Sequence, residues 1–197
     1  MIVQSGNDAS VALAEYIAGD EGAFADLMNE HARRLGVTDS NFTNSTGLPD
    51  DRHYTTARDL SRVAIGLIRD FPTSYKWHEK RSFKFNDIEQ PNRNKLLWRD
   101  DSVDGIKTGY TSSAGYCLVA SAKRGKMRLV SVVLGSGSTK NRTEQTQALL
   151  NYGFRFYETH RLYAAGEHVT KLRIWKGGKG DLSIGLRHDL FVTVPRG

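Results

Sequence analysis

A chain of 197 residues, 39% hydrophobic and 25% charged, carries enough apolar material for a packed core, which excludes the disordered and fibrous classes. Its formal net charge of +6 favours an anionic partner, but the Lys and Arg residues are scattered without a basic arm or a recognition-motif spacing, so nucleic acid is not expected. The single cysteine, Cys117, rules out an internal disulfide framework, and no apolar run approaches the length of a membrane span.

In chain order, Ala9, Ala12, Leu13, Tyr16 and Ile17 follow the spacing of one helix face, with Asn7 and Asp8 at its N-cap, so Ser5-Gly6-Asn7 is a loop entering a helix. A second helix is predicted from Glu21 to Leu35, stopped by Gly36. A third follows Thr56, which forms a capping-box-like pair with Asp59, and its buried stripe is Leu60, Val63, Ala64, Leu67, Ile68 and Phe71. Between these two helices, FTNSTGLPDDRHY reads as a long surface loop. The period then shortens: FKFNDI, DGIKTG, GYCLVASAK and MRLVSVVLG read as strands. The last two, joined by KRGK, form an antiparallel hairpin whose nearly unbroken apolar runs predict burial on both faces. GSGSTKNR reads as a plain connection, followed by a helix from Thr143 to Glu158. HVTKLRIWK, GDLSIGL and DLFVTVP alternate like strands of a small all-β unit, with GGKG as a turn. This order describes an α+β arrangement with a boundary near residues 158–165. Cys117, inside GYCLVAS, reads as a small buried apolar residue.

The chemistry is narrowed by what the chain lacks. It has no HExxH or H-x-x-x-H pair for a zinc protease and no G-x-S-x-G elbow for an α/β-hydrolase, and KGGKG is not spaced as a phosphate loop. No metal and no cofactor is expected. What remains is Ser-Lys acyl transfer, whose three elements are S-x-x-K, a Ser-x-Asn element and K-T-G. The chain holds Ser5-Gly6-Asn7 and Lys107-Thr108-Gly109. The first arises easily by chance and the second rarely, and each stands where the chemistry wants it: on a loop entering a helix, and on a strand before a buried hairpin. The bland alternative is an N-cap loop and an exposed strand lysine.

Taken together, IVQSGNDASVALAEYIAG, HYTTARDL, QPNRNKLLW, VDGIKTGYTSSAGY and MRLVSVVLG closely resemble the low-molecular-mass penicillin-binding proteins that are serine-type D-alanyl-D-alanine carboxypeptidases. The resemblance implies a β-lactamase/DD-peptidase-like α+β domain over residues 1–158, lacking its N-terminal part, and the beginning of a C-terminal β-sandwich domain over residues 159–197. It implies removal of the terminal D-alanine from peptidoglycan pentapeptides through an acyl-enzyme, and binding of penicillin and other β-lactams. It further implies a periplasmic location, held to the inner-membrane surface by a C-terminal anchor outside this sequence. Ser5 would be a proton-relay hydroxyl, Asn7 would hydrogen-bond the substrate amide, and Lys107 would keep a positive field over the site. Thr108 would donate to the terminal carboxylate, and the strand after Gly109 would line the slot in which the peptide lies as an added strand. Arg142 would help bind the free carboxylate and Arg93 would support the pocket near Lys107, the alternative for both being a solvated surface charge.

One departure matters. No S-x-x-K occurs in the 197 residues, so the acylated serine and its lysine are expected upstream of Met1, and the polypeptide alone is expected neither to hydrolyse D-Ala-D-Ala nor to form a penicillin adduct. The K-T-G strand or the hairpin should then show an unpaired edge. Two rivals stand beside the carboxypeptidase. A β-lactamase-like hydrolase would need an extra carboxylate base, for which the loop offers only Asp50 and Asp51; the other rival is a non-catalytic peptidoglycan-binding module. The effect of Tyr110, directly after K-T-G, is left open.

Overall fold

A computed structural model describes residues 1–197. Two helices lead, α1 (Asn7–Ala18) and α2 (Glu21–Arg34), packed against each other. The N-cap of α1 is Gly6, without a side-chain cap bond, and Asn7 is already helical, one residue off the predicted cap. The apolar spacing that marks α1 as a helix does not mark a buried face. Ala14 is fully buried, while Leu13, Tyr16 and Ile17 are 46%, 88% and 60% exposed.

Helix α3 (Ala57–Asp70) starts as the Thr-x-x-Asp pattern predicts, with Thr56 Oγ1 accepting from the Asp59 N–H at 3.2 Å. The reciprocal half of the box is absent. The buried Asp59 carboxylate instead accepts from the Asp39 N–H (2.7 Å), the Ser40 hydroxyl (2.8 Å) and Arg62 (3.1 Å), which staples the loop before it to the helix. Of the predicted stripe, Ala64, Leu67 and Ile68 pack inward and Phe71 is exposed.

A short helix α4 (Pro72–Tyr75) and a 3₁₀ turn (Lys76–Glu79) follow, neither anticipated by periodicity. FKFNDI is not one strand but a hairpin, β1 (Ser82–Phe85) and β2 (Ile88–Pro91). Asn86 and Asp87 between them have φ of 46° and 61°, the left-handed pair that a two-residue turn of this hand requires.

The centre is a three-stranded antiparallel sheet in the order β3-β4-β5, after the single-turn helix α5 (Leu96–Arg99); its strands are β3 (Val103–Thr111), β4 (Gly115–Arg124) and β5 (Met127–Ser136). The predicted hairpin is β4–β5, closed by Gly125-Lys126 with Gly125 at φ 58°. It is covered on both faces, as its apolar runs demand. On one face Leu150 and Phe154 of α6 (Thr139–Phe156) pack on Leu118, Ala120 and Ala122; on the other, Ala64, Leu67 and Ile68 meet Tyr75, Ile106, Val119 and Val130. The outer edges of β3 and β5 carry no partner strand.

The segment GSGSTKNR is more than a connection. Ser138 caps α6, its hydroxyl accepting from the Asn141 N–H at 3.0 Å, so the helix begins at Thr139 rather than Thr143 and ends at Phe156 rather than Glu158. Arg142 thereby falls in the first turn of a helix packed on the sheet. Directly after it come β6 (Tyr157–Tyr163), β7 (His168–Arg173), β8 (Asp181–Gly185) and β9 (Leu190–Pro195), paired β6–β9 and β7–β8. Strand β6 was not anticipated. No helix is long and apolar enough to cross a membrane.

Candidate active site

Strand β3 is fixed in place from behind. Asn94 Nδ2 donates to the Gly105 carbonyl (3.1 Å), and His78 Nδ1 lies 3.0 Å from the Ile106 carbonyl while its ring stacks on Tyr75. Asn92 holds the turn that carries Arg93, accepting from the Asn94 N–H at 2.9 Å and donating to the Lys80 carbonyl at 2.9 Å. Deeper still, Asp104 accepts from the Tyr75 hydroxyl and is clamped by Arg128 (2.9 and 2.7 Å). With these carbonyls and side chains satisfied, Lys107 projects from a strand that has little freedom to shift.

What Lys107 reaches lies 102 residues away in sequence: its Nζ donates to Ser5 Oγ at 2.8 Å, and also to the Thr108 carbonyl at 2.7 Å. Ser5 sits at φ 61°, in the left-handed region that a non-glycine residue occupies at a cost of about 1–3 kcal/mol. Ser5, Asn7, Lys107, Thr108, Gly109, Arg93 and Arg142 all line one cleft of about 1120 Å³. All seven predicted site residues are therefore brought together. The Asn7 carboxamide and the Thr108 hydroxyl make no hydrogen bond within the chain, and no carboxylate pairs with Lys107, Arg93 or Arg142. The opposite wall is the loop over residues 42–48 together with His53, tied down by Asn29 to Phe42 and by Glu21 to Ser45.

The electrostatics are one-sided. The residues lining the cleft include Arg93, Lys95, Lys107 and Arg142 and not one Asp or Glu. Burial, and then the neighbouring charges of Arg93 and Arg142, pull the Lys107 ammonium down from its ordinary 10.5 to about 8, so it is still mostly charged at neutral pH. Burial also lowers the Arg142 guanidinium. An anion placed among these groups relieves their mutual repulsion; at an effective dielectric near 20, one unit charge 4 Å away contributes about 4 kcal/mol of attraction.

Arg142 is no solvated surface charge. It is buried, and its Nη1 donates to the carbonyls of Gly109 (3.0 Å) and Cys117 (3.3 Å), joining α6 to β3 and β4. Arg93, by contrast, is exposed and unpaired, and acts on the cleft through its charge. Cys117 departs from expectation: it is half-buried at the cleft rather than sealed in the core, standing across from Gly109 of β3, which has no side chain to cover it. The supporting groups Asn92, Asn94 and His78 escaped sequence reasoning; only the bracketing of Arg93 by two asparagines in PNRN hinted at a built turn. No group of three or more His, Cys, Asp or Glu side chains gathers anywhere in the chain to form a metal site.

Residues 1–138 match the family model described as D-alanyl-D-alanine carboxypeptidase, and residues 157–197 match the model of the penicillin-binding protein 5 C-terminal domain. The D-alanyl-D-alanine carboxypeptidase DacC of Escherichia coli is 45% identical over 198 residues, covering 100% of this chain and 50% of the relative. The crystal structure of penicillin-binding protein 5 from Haemophilus influenzae superposes with a TM-score of 0.90 at 44% identity, covering 100% of this chain and 58% of that one. Penicillin-binding protein D2 from Listeria monocytogenes, in its cefotaxime-bound form, gives 0.73 at 32% identity, covering 78% of this chain and 63% of that one. The chain thus spans about half the length of its full-length relatives. With the match running from Met1 through the strand of Lys107 and resuming in the β strands after α6, the chain belongs to the D-alanyl-D-alanine carboxypeptidase family of penicillin-binding proteins.

Proposed function

We propose that this chain supplies the Ser-x-Asn and K-T-G walls of a serine-type D-Ala-D-Ala carboxypeptidase, which removes the terminal D-alanine of peptidoglycan pentapeptides through an acyl-enzyme and is acylated by β-lactams. The observation that carries the reading is the 2.8 Å bond from Lys107 Nζ to Ser5 Oγ in a cleft lined by cations and no carboxylate. Because Ser5 Oγ accepts from the ammonium, its own proton is free for the departing D-alanine nitrogen, and Lys107 refills the hydroxyl. The Asn7 carboxamide takes the substrate's peptide amide. The Thr108 hydroxyl and the remaining guanidinium donors of Arg142 hold the free C-terminal carboxylate, which distinguishes a carboxypeptidase from an internal peptidase. Gly109, with no side chain, lets the peptide approach the outer edge of β3 as an added strand, and Arg93 adds long-range attraction.

A β-lactamase-like hydrolase needs a carboxylate to activate the deacylating water, and no carboxylate lines this cleft. Residues 1–158 are assigned to the penicillin-binding domain and residues 159–197 to a following β domain. The location inferred is periplasmic, at the inner-membrane surface. The 197 residues contain no S-x-x-K, so they bind the acyl-D-Ala-D-Ala terminus without being acylated. Incubation with fluorescent penicillin and denaturing electrophoresis should show no labelled band for this chain. Fused behind a family segment that carries S-x-x-K, it should label and release D-alanine, and Lys107→Ala should abolish both. A folded fusion that does neither refutes the assignment.

A further inference from the structure

On the cleft wall opposite β3, the polar side chains are committed to one another in a single determinate direction. The Gly47 N–H donates to Asn44 Oδ1 at 2.7 Å, which fixes the orientation of that amide, since a backbone N–H can only donate. Asn44 Nδ2 then donates to the Leu48 carbonyl (3.0 Å) and to Thr43 Oγ1 (3.4 Å). The Thr46 hydroxyl is spent on Asn44 Oδ1 (3.0 Å) and the Ser45 hydroxyl on Glu21 (2.6 Å). Thr43 passes the direction on: its N–H donates to His53 Nδ1 (3.3 Å), and its hydroxyl, which accepts from Asn44, donates to the same nitrogen (3.2 Å). His53 Nδ1 therefore keeps its lone pair, and the neutral ring carries its proton on Nε2.

The ring is also held in place. Antiparallel pairing of Asn41 with Tyr54 and the bond from Asn41 Nδ2 to the Arg52 carbonyl (2.7 Å) zip its backbone to the loop, and Phe42 packs edge-on against it at 5.8 Å. Burial holds the imidazole below its ordinary titration range, against the opposing pull of Asp50. His53 lines the cleft, and its Nε2–H makes no hydrogen bond within the chain, whereas the donors of Asn44, Ser45 and Thr46 beside it are all used. We propose that His53 is a further substrate-binding residue, whose Nε2–H donates to a carbonyl oxygen in the acyl portion of the peptide. The inference rests on the reading that Thr108 and Arg142 hold the terminal carboxylate. A ligand so anchored gives its anionic end to the cations, and the opposite wall, with one neutral donor between apolar Phe42 and Leu48, suits a neutral acceptor. A hydrogen bond of this kind contributes about 0.5–1.5 kcal/mol, or about 2- to 12-fold in affinity.

The test titrates the 197-residue chain with diacetyl-L-Lys-D-Ala-D-Ala, following the amide resonances of Thr108 and Gly109 and the ring nitrogens of His53. The expected result in the parent chain is an Nε2-protonated tautomer whose Nε2 resonance moves as the ligand binds. Two variants then separate the donor from the scaffold. His53→Asn keeps an acceptor for Thr43 but does not extend to the Nε2 position, and should bind more weakly by a factor within that range. His53→Gln places an amide N–H at that position and should bind within twofold of the parent. An Nε2 resonance that ignores the ligand while Thr108 and Gly109 respond, or Asn and Gln variants that bind alike, overturns the role of His53 and leaves the carboxylate anchor standing. If the ligand moves neither the Thr108 nor the Gly109 resonance, the anchor and the His53 contact fall together. Ser45 and Gly47 amide resonances verify that the wall is folded in each variant, and the Nε2 readout in the parent chain needs no variant at all.

Discussion

Replacing Lys107 by methionine keeps the apolar stem and deletes the ammonium, and it should stabilise the fold at neutral pH while weakening anion binding. Lys107 titrates at about 8 in the folded chain against an ordinary 10.5. Below pH 8 it is charged in both states, and the folded state carries a penalty of about 3 kcal/mol. Between pH 8 and 10.5 the unfolded chain binds more protons than the folded one, so stability rises with pH through this window and the penalty vanishes above it. Methionine has no such penalty but forfeits the bonds to Ser5 and to the Thr108 carbonyl, about 1 kcal/mol each. Lys107→Met is therefore expected to be more stable than the parent by about 1 kcal/mol at pH 7, or roughly 2–4 °C in Tm for a chain of this size. The advantage should shrink above pH 8 and reverse to about 2 kcal/mol in the parent's favour above pH 10.5. Urea unfolding of both proteins, followed by tryptophan fluorescence from pH 6 to 10.5, reads the difference between them, in which shared titrations cancel. A stability gap that does not change with pH would falsify the claim that the ammonium is held desolvated among like charges.

Arg142→Lys removes the guanidinium whose Nη1 donates to the carbonyls of Gly109 and Cys117 and whose other N–H groups are assigned to the substrate carboxylate, so acyl-D-Ala-D-Ala binding measured by calorimetry should weaken about tenfold, with a loss of about 1–2 kcal/mol in unfolding free energy. Unaltered affinity would show that the guanidinium takes no part in binding. At Gly105 an added Cβ would lie 2.7 Å from the Tyr75 hydroxyl and 3.1 Å from His78 Cβ, and that tyrosine is pinned by Asp104. Gly105→Ala should therefore cost about 1–3 kcal/mol and shift the Lys107 titration followed by NMR; an unperturbed Lys107 would mean that β3 is not held from behind. Leu150→Ala empties the fully buried contact between α6 and β4 and should lower stability by about 2–5 kcal/mol in denaturant melts, whereas a loss below 1 kcal/mol would show that the helix packs loosely.

Helices α1, α2 and α3 and the β4–β5 hairpin were legible because each is a local pattern: apolar spacing, a Thr cap, a Gly-containing two-residue turn. Failures came where a local rule had two solutions. FKFNDI carries strand propensity and also an Asn-Asp pair able to adopt positive φ, and the turn won. GSGSTKNR has loop composition, but Ser138 is a cap as well, so the helix starts one turn early and Arg142 is carried from the surface into the sheet. In α1 the spacing of Leu13, Tyr16 and Ile17 states that a helix forms without stating that anything covers it.

The residue types of the site and their chemistry were set along the chain, since K-T-G after a turn and S-x-N before a helix are properties of a few consecutive residues. That Lys107 meets Ser5, that its ammonium is held near pH 8, and that four cations share a cleft without a carboxylate were decided only by folding. Hydrogen bonds across such separations, desolvation and Coulomb coupling depend on which surfaces close over a group, and no stretch of sequence contains its own surroundings.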